Sequence, residues 1–143
     1  MAGFLRTLKN AIRGAKSASQ VVPILRGVFA PYVNLQSADV LRISKDEFIQ
    51  SYLYGSLSFF VHASSITDQA EIGFTLWQSF EQLLPGLGKQ MLENCNMRLQ
   101  ENNPGFKQGV RAGWKETQEM GHSQGLDGFP SLEQYLAANY NRG

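Results

Sequence analysis

The residue types that most often carry out catalysis or bind metals are scarce in this sequence and far apart. Its two histidines, His62 and His122, are separated by 60 positions. Neither has a second ligand at the helical spacing of an H-x-x-x-H or E-x-x-H pair, so no metal site is expected. His62 lies in an apolar segment and is interpreted as a hydrogen-bonded histidine of the core. His122 lies in a glycine-rich loop, where a surface position is expected.

The single cysteine, Cys95, follows the apolar stripe of a predicted helix, where a thiol behaves as a small buried hydrophobic group. One cysteine allows no internal disulfide, which favours a reducing compartment such as the cytoplasm. The sequence contains no G-x-x-x-x-G-K-[ST] or G-x-G-x-x-G motif. Its acidic residues are scattered singly, apart from Asp46 and Glu47 at a predicted helix start. The sequence therefore predicts neither an enzyme nor a protein with a cofactor.

Charge is distributed unevenly along the chain. The first 38 residues hold five basic residues and no acidic one, whereas the rest hold eight basic and twelve acidic residues. Residues 1–18 are predicted to form an amphipathic helix with one basic face, made of Arg6, Lys9, Arg13 and Lys16. Three interpretations remain open: a helix packed on the domain, a helix on an anionic membrane surface or partner, and a cleaved targeting segment.

A second set of basic residues, Lys107, Arg111 and Lys115, recurs every four positions on a helix predicted at about residues 104–120. We call these three residues the basic ridge. Cations at this spacing repel one another, so an acidic protein surface is the expected partner. Nucleic acid is not expected as a partner, because the net charge is only +1 and no recognised binding motif is present.

The same helix carries a row of three glycines, Gly105, Gly109 and Gly113. An interior glycine costs about 1 kcal/mol relative to alanine, so the row indicates close approach of another helix. A row of small residues around Gly55 is the expected partner.

The segment that must hold these elements together is 48–67, twenty residues without a charge. Ser44 and Glu47 have the S-x-x-E spacing of a capping box, which predicts a helix from about residue 45 to residue 64. Apolar side chains lie on nearly all its sides, so we expect neighbours to pack around it. A membrane span is the alternative, since the length suffices, but five serines, Gln50 and His62 disfavour it.

Further helices are predicted at about 22–30, 68–84 and 87–100, and a glycine-rich loop at 121–130. Ser65 or Thr67 is the expected cap of the helix at 68–84. The run Asn102-Asn103-Pro104 predicts the end of one helix and the start of the next. Ser131 and Gln134 repeat the capping-box spacing at a last short helix. The predicted fold is a single all-α domain over 1–143, an irregular bundle of five to seven helices around the uncharged one.

The expected function is that of a small cytoplasmic module for protein–protein interaction or assembly, without catalytic activity. Its expected partner is an acidic protein surface or a second copy of the chain, and surplus aromatic residues are its expected anchors: Trp77, Trp114, Tyr135 and Tyr140. One alternative is a peripheral membrane protein held on anionic lipid by its N-terminal helix. A third is a helical ligand-binding protein or enzyme with a pocket lined by Phe59, Phe60, His62 and Trp77.

Overall fold

A computed structural model of the chain describes residues 22–34, 39–64, 66–120 and 129–140. Within these ranges the chain forms helices and no strand, which confirms the predicted all-α fold. The helices are α1 (Val22–Phe29), α2 (Asp39–Ser44), α3 (Glu47–Ala63), α4 (Gln69–Leu83), α5 (Gly88–Gln100), α6 (Pro104–Met120) and α7 (Pro130–Asn139). The predicted N-terminal helix, with Arg6, Lys9, Arg13 and Lys16, lies outside the described residues, as does His122.

The uncharged helix α3 lies at the centre of the bundle. Ten of its 17 residues are buried, and it contacts α2, α4, α5 and α6. A single cluster of buried apolar side chains contains residues from all seven described helices. No helix among the described residues is long and apolar enough to cross a membrane.

The start of α3 differs from the prediction. Asp46 caps the helix, with an extended backbone and a carboxylate that accepts a hydrogen bond from Ile49 N at 3.1 Å. Ser44 is instead the buried last residue of α2, and its hydroxyl donates to the Leu41 carbonyl at 2.8 Å. The predicted capping box of Ser44 and Glu47 is therefore wrong. Both Ser44 and Asp46 are residue types that cap helices, and Ser44 is taken up by the short α2.

Helix α4 is capped in the same way, by Asp68, whose carboxylate accepts from Glu71 N at 3.0 Å. The predicted caps Ser65 and Thr67 are therefore wrong, because aspartate competes for the same role. The start of α6 follows the prediction, since the Asn103 side chain accepts from Phe106 N at 3.0 Å.

Helices α4 and α5 form a hairpin whose turn is closed by one side chain. The Glu81 carboxylate accepts hydrogen bonds from Gly86 N at 2.6 Å and Gly88 N at 3.0 Å. Gly86 has a φ of +85°, a conformation that glycine adopts without steric cost. Arg26 of α1 donates to the carbonyls of Gln82 and Leu83, where the negative end of the α4 dipole favours a cation.

Candidate functional site

The contact between α3 and α6 is the most extensive between any two described helices. A Cβ added at Gly113 would lie 2.9 Å from the Tyr52 carbonyl carbon and closer still to its oxygen. A Cβ at Gly109 would overlap the Ser51 hydroxyl, and one at Gly55 would lie 2.8 Å from the Val110 carbonyl carbon. These distances are too short for any residue larger than glycine, so the two backbones touch along this row.

Gly105 does not take part in this contact. It is exposed, and an added Cβ would meet only Asn103 Oδ1, at 3.4 Å. The close packing of α6 therefore begins one turn later than the glycine row suggests, and Gly105 belongs to the exposed first turn of the helix.

The carboxylate of Glu116, on α6, joins α3 and α7. It accepts hydrogen bonds from the Tyr52 hydroxyl at 2.7 Å, from Ser131 N at 3.0 Å and from the Ser131 hydroxyl. The residue before α7, Phe129, offers no capping side chain, so Glu116 supplies the cap from another helix. The predicted capping box of Ser131 and Gln134 is therefore wrong.

Burial and the Glu116 carboxylate together change the acidity of the groups around them. Burial, followed by the hydrogen bond to Glu116, raises the pKa of the Tyr52 phenol, which stays a hydrogen-bond donor. Burial also raises the pKa of Glu133 on α7, with a smaller contribution from repulsion by Glu116, against the opposing effect of a hydrogen bond to the Phe129 backbone. A protonated phenol beside a carboxylate holds helices together; it is not a nucleophile.

A second carboxylate, Asp46, fastens α7 to the start of α3. It accepts hydrogen bonds from the hydroxyls of Tyr135 at 2.7 Å and Tyr140 at 2.9 Å. The Arg42 guanidinium lies 4.1 Å from the centre of the Tyr140 ring, and Phe48 stacks on Tyr135 with ring centres 4.4 Å apart. Burial and the bond to Asp46 raise the pKa of Tyr135 to about 12. Both tyrosines, expected as interface anchors, make their polar contacts inside the fold.

The basic ridge lies on the side of α6 away from α3, because its members are offset by two positions from Gly109 and Gly113. Lys107 is half-buried and donates to the Asn102 side chain at 2.7 Å. Arg111 is exposed. Lys115 has a 74% exposed side chain and lies 3.9 Å from Glu119, so it forms a weak, solvent-screened ion pair. The ridge is thus a solvated surface.

Two large aromatic side chains on α4 are also exposed. Phe74 is 51% and Trp77 is 40% exposed, and their rings meet edge to face with centres 5.7 Å apart. We call these two residues the aromatic pair. The opposite face of α4 packs into the core through Leu76, Phe80 and Leu83. A sequence signal for this pair was present, since positions 74 and 77 lie beside the apolar stripe of α4 and not on it.

His62 and Cys95 carry no catalytic arrangement. His62 is exposed in the last turn of α3, its ring 5.5 Å from that of Trp114, so its prediction as a core histidine is wrong. The apolar periodicity of α3 continues to the end of the helix, but the neighbouring helices do not cover its last turn. Cys95 is fully buried, as predicted, and burial raises the pKa of its thiol to about 12. Among the described residues, no three His, Cys, Asp or Glu side chains could hold a metal ion together.

The pocket expected from the sequence is not formed. Phe60 is buried in the core, Phe59 packs edge-on against Trp114, and Trp77 belongs to the aromatic pair. His62 lines a cavity between α3, α4 and α6, and the walls of that cavity do not include Phe59, Phe60 or Trp77.

No protein family model, curated protein or solved structure matches this chain.

Proposed function

We propose that this protein is a small helical interaction module that acts by binding another protein and has no catalytic activity of its own. The observation that supports this best is the aromatic pair on α4. Complete burial of a phenylalanine side chain contributes about 1.5–3 kcal/mol of free energy. Because the Phe74 ring is half exposed, a partner that covers it would gain part of that free energy. Tryptophan is among the residues that most often dominate the binding energy of interfaces, so Trp77 is the expected anchor.

The charges of the helices suggest what the partner carries. The basic ridge on α6 would be complementary to acidic groups, which supports a partner with an acidic surface. A second copy of the chain also meets this requirement, because α4 carries Glu71 and Glu81 and no basic residue. Rim charges of this kind act mainly on association rate and orientation, while the aromatic pair supplies affinity.

The test compares three forms of the protein: the native chain, the double variant Phe74→Ser/Trp77→Ser, and the control Leu41→Ser/Met97→Ser. The control removes two other exposed hydrophobic side chains, 54% and 46% exposed, from α2 and α5. Light scattering coupled to size-exclusion chromatography measures self-association, and affinity capture measures binding of other proteins. We expect the aromatic variant alone to lose the association. A native chain that is strictly monomeric and captures nothing contradicts the proposal.

The sequence supports a second candidate, a peripheral membrane protein of the cytoplasm held by residues 1–18. Its support is the concentration of five basic and no acidic residues in the first 38 positions. Co-sedimentation with vesicles that contain anionic lipid, with and without residues 1–18, separates the two candidates. Binding that ignores either the deletion or the lipid charge rules out this second candidate.

A further inference from the structure

A small cavity opens to solvent between α3, α4 and α6. Its volume is about 220 Å³, and it has both apolar and polar walls. Aliphatic side chains form part of it, among them Ile72 and Leu76 of α4. The polar part consists of Tyr54, Ser58 and His62 of α3 with Trp114 of α6.

The polar side chains of this cavity come together for a simple geometric reason. Tyr54, Ser58 and His62 are four residues apart, so they follow one another along one side of α3. The contact of α3 with α6 then places the Trp114 ring 5.5 Å from that of His62. Within the part of the chain that the structure describes, no hydrogen bond joins any of these four side chains to another group. Two hydroxyls, an imidazole and an indole N–H therefore remain available to a ligand.

We propose that this cavity binds a small, uncharged aromatic molecule that carries one hydrogen-bonding group, of about the size of indole. The size follows from the volume: an apolar cavity of about 150 Å³ accommodates benzene, so about 220 Å³ accommodates roughly nine non-hydrogen atoms. The rings of Tyr54, His62 and Trp114 provide faces and edges for an aromatic ligand.

The lining also accounts for the lack of charge on the ligand. No Asp, Glu, Lys or Arg is among the residues that line the cavity. An ionised ligand would lose part of its hydration on entry and gain no ion pair in return, whereas one neutral N–H or O–H group finds partners.

The experiment uses indole as the probe and the two tryptophans as reporters. In protein with ¹⁵N-labelled tryptophan, the variant Trp77→Phe shows a single indole N–H signal, that of Trp114. The variant Trp114→Phe shows only the signal of Trp77. We expect indole to shift the Trp114 signal saturably, with a dissociation constant below about 1 mM. The Trp77 signal should stay in place. Benzoate has as many non-hydrogen atoms as indole but is charged, and it should bind at least about tenfold more weakly.

Two substitutions that fill the cavity from different helices provide the control, Ser58→Leu on α3 and Ile72→Phe on α4. Each is checked for native helix content by circular dichroism, and at least one folded variant should lose the response of Trp114 to indole. The proposal is overturned if Trp114 does not respond at about 10 mM indole, if Trp77 responds equally, or if a folded, filled variant binds as before. Equal binding of benzoate would overturn the assignment of an uncharged ligand.

Discussion

Replacing Gly113 by alanine tests whether the backbones of α3 and α6 touch as described. In most helix interiors this substitution stabilises, because alanine is favoured over glycine by about 1 kcal/mol. At Gly113 the new Cβ would lie 2.9 Å from the Tyr52 carbonyl carbon and 3.1 Å from Ser56 N. These obstacles are backbone atoms, which cannot rotate away as a side chain does.

The size of the destabilisation by Gly113→Ala follows from how far α3 and α6 must move apart. Carbon atoms pack best at about 3.5–4.0 Å, so contact with the Tyr52 carbonyl carbon alone requires α3 and α6 to separate by at least about 0.6–1.1 Å near Gly113. Such overpacking costs about 1–3 kcal/mol, and a backbone obstacle places it at the upper end of that range. After the helical preference of alanine is subtracted, the expected loss is about 2 kcal/mol, or about 7 °C in Tm for a chain of this length.

Gly73 provides a matched control within the same protein. It lies inside α4, and an added Cβ would meet nothing within 4 Å. Gly73→Ala should therefore raise the free energy of unfolding by up to about 1 kcal/mol, opposite in sign to Gly113→Ala. Urea unfolding followed by circular dichroism measures both, with an unchanged m-value as the check that the same transition is compared.

Gly55, the glycine of α3 that faces α6, allows a second test of the same contact. Gly55→Ala should also destabilise, since its Cβ would lie 3.0 Å from Trp114 N. Once one alanine has moved the helices apart, the second meets less obstruction, so Gly55→Ala/Gly113→Ala should cost less than the two single losses added. If Gly113→Ala stabilised the protein as Gly73→Ala does, the reasoning about this contact would be refuted.

Three further predictions concern the polar contacts and the thiol. Glu116→Ala should destabilise the protein by about 1–3 kcal/mol, because it leaves the Tyr52 hydroxyl without its acceptor. This loss should be smaller in a Tyr52→Phe background. An equal loss in both backgrounds would contradict the hydrogen bond. Asp46→Ala should cost about 1–2 kcal/mol more than Asp68→Ala in chemical unfolding, since both carboxylates cap a helix but only Asp46 accepts from two tyrosines; equal losses would mean that those tyrosine bonds add nothing. Cys95 should not react with a thiol reagent at about pH 8 in the native protein and should react on unfolding. Because its pKa is raised from 9.0 to about 12 on folding, its contribution to stability is complete below pH 9 and is lost as pH rises from 9 to 12; rapid native labelling near pH 8 would refute its burial.

Much of the fold could be predicted because its signals are local. Asn103 and Pro104 favour a helix start at α6 whatever the rest of the chain does. The Asn103 side chain bonds Phe106 N, only three positions further along the chain. The buried face of α3 is likewise set by its own run of uncharged residues. The glycine row indicated close helix packing because a missing side chain has few other uses inside a helix.

The sequence could not decide which polar groups meet across the fold. Asp46 accepts hydrogen bonds from the hydroxyls of Tyr135 and Tyr140, which lie 89 and 94 residues further along the chain. Glu116, a residue of α6, caps the start of α7. Each carboxylate has lone pairs beyond those a local cap uses, and no spacing rule states which distant donor will reach them.

What the sequence alone determined, then, is the helical class and the central, largely buried position of α3, because hydrophobic periodicity acts over a few residues. Only the tertiary structure decided that His62 is exposed, that Gly105 lies outside the glycine contact, and that Tyr54, Ser58 and Trp114 share a cavity. These features depend on where a neighbouring helix ends, and that position is fixed when α3, α4 and α6 pack together.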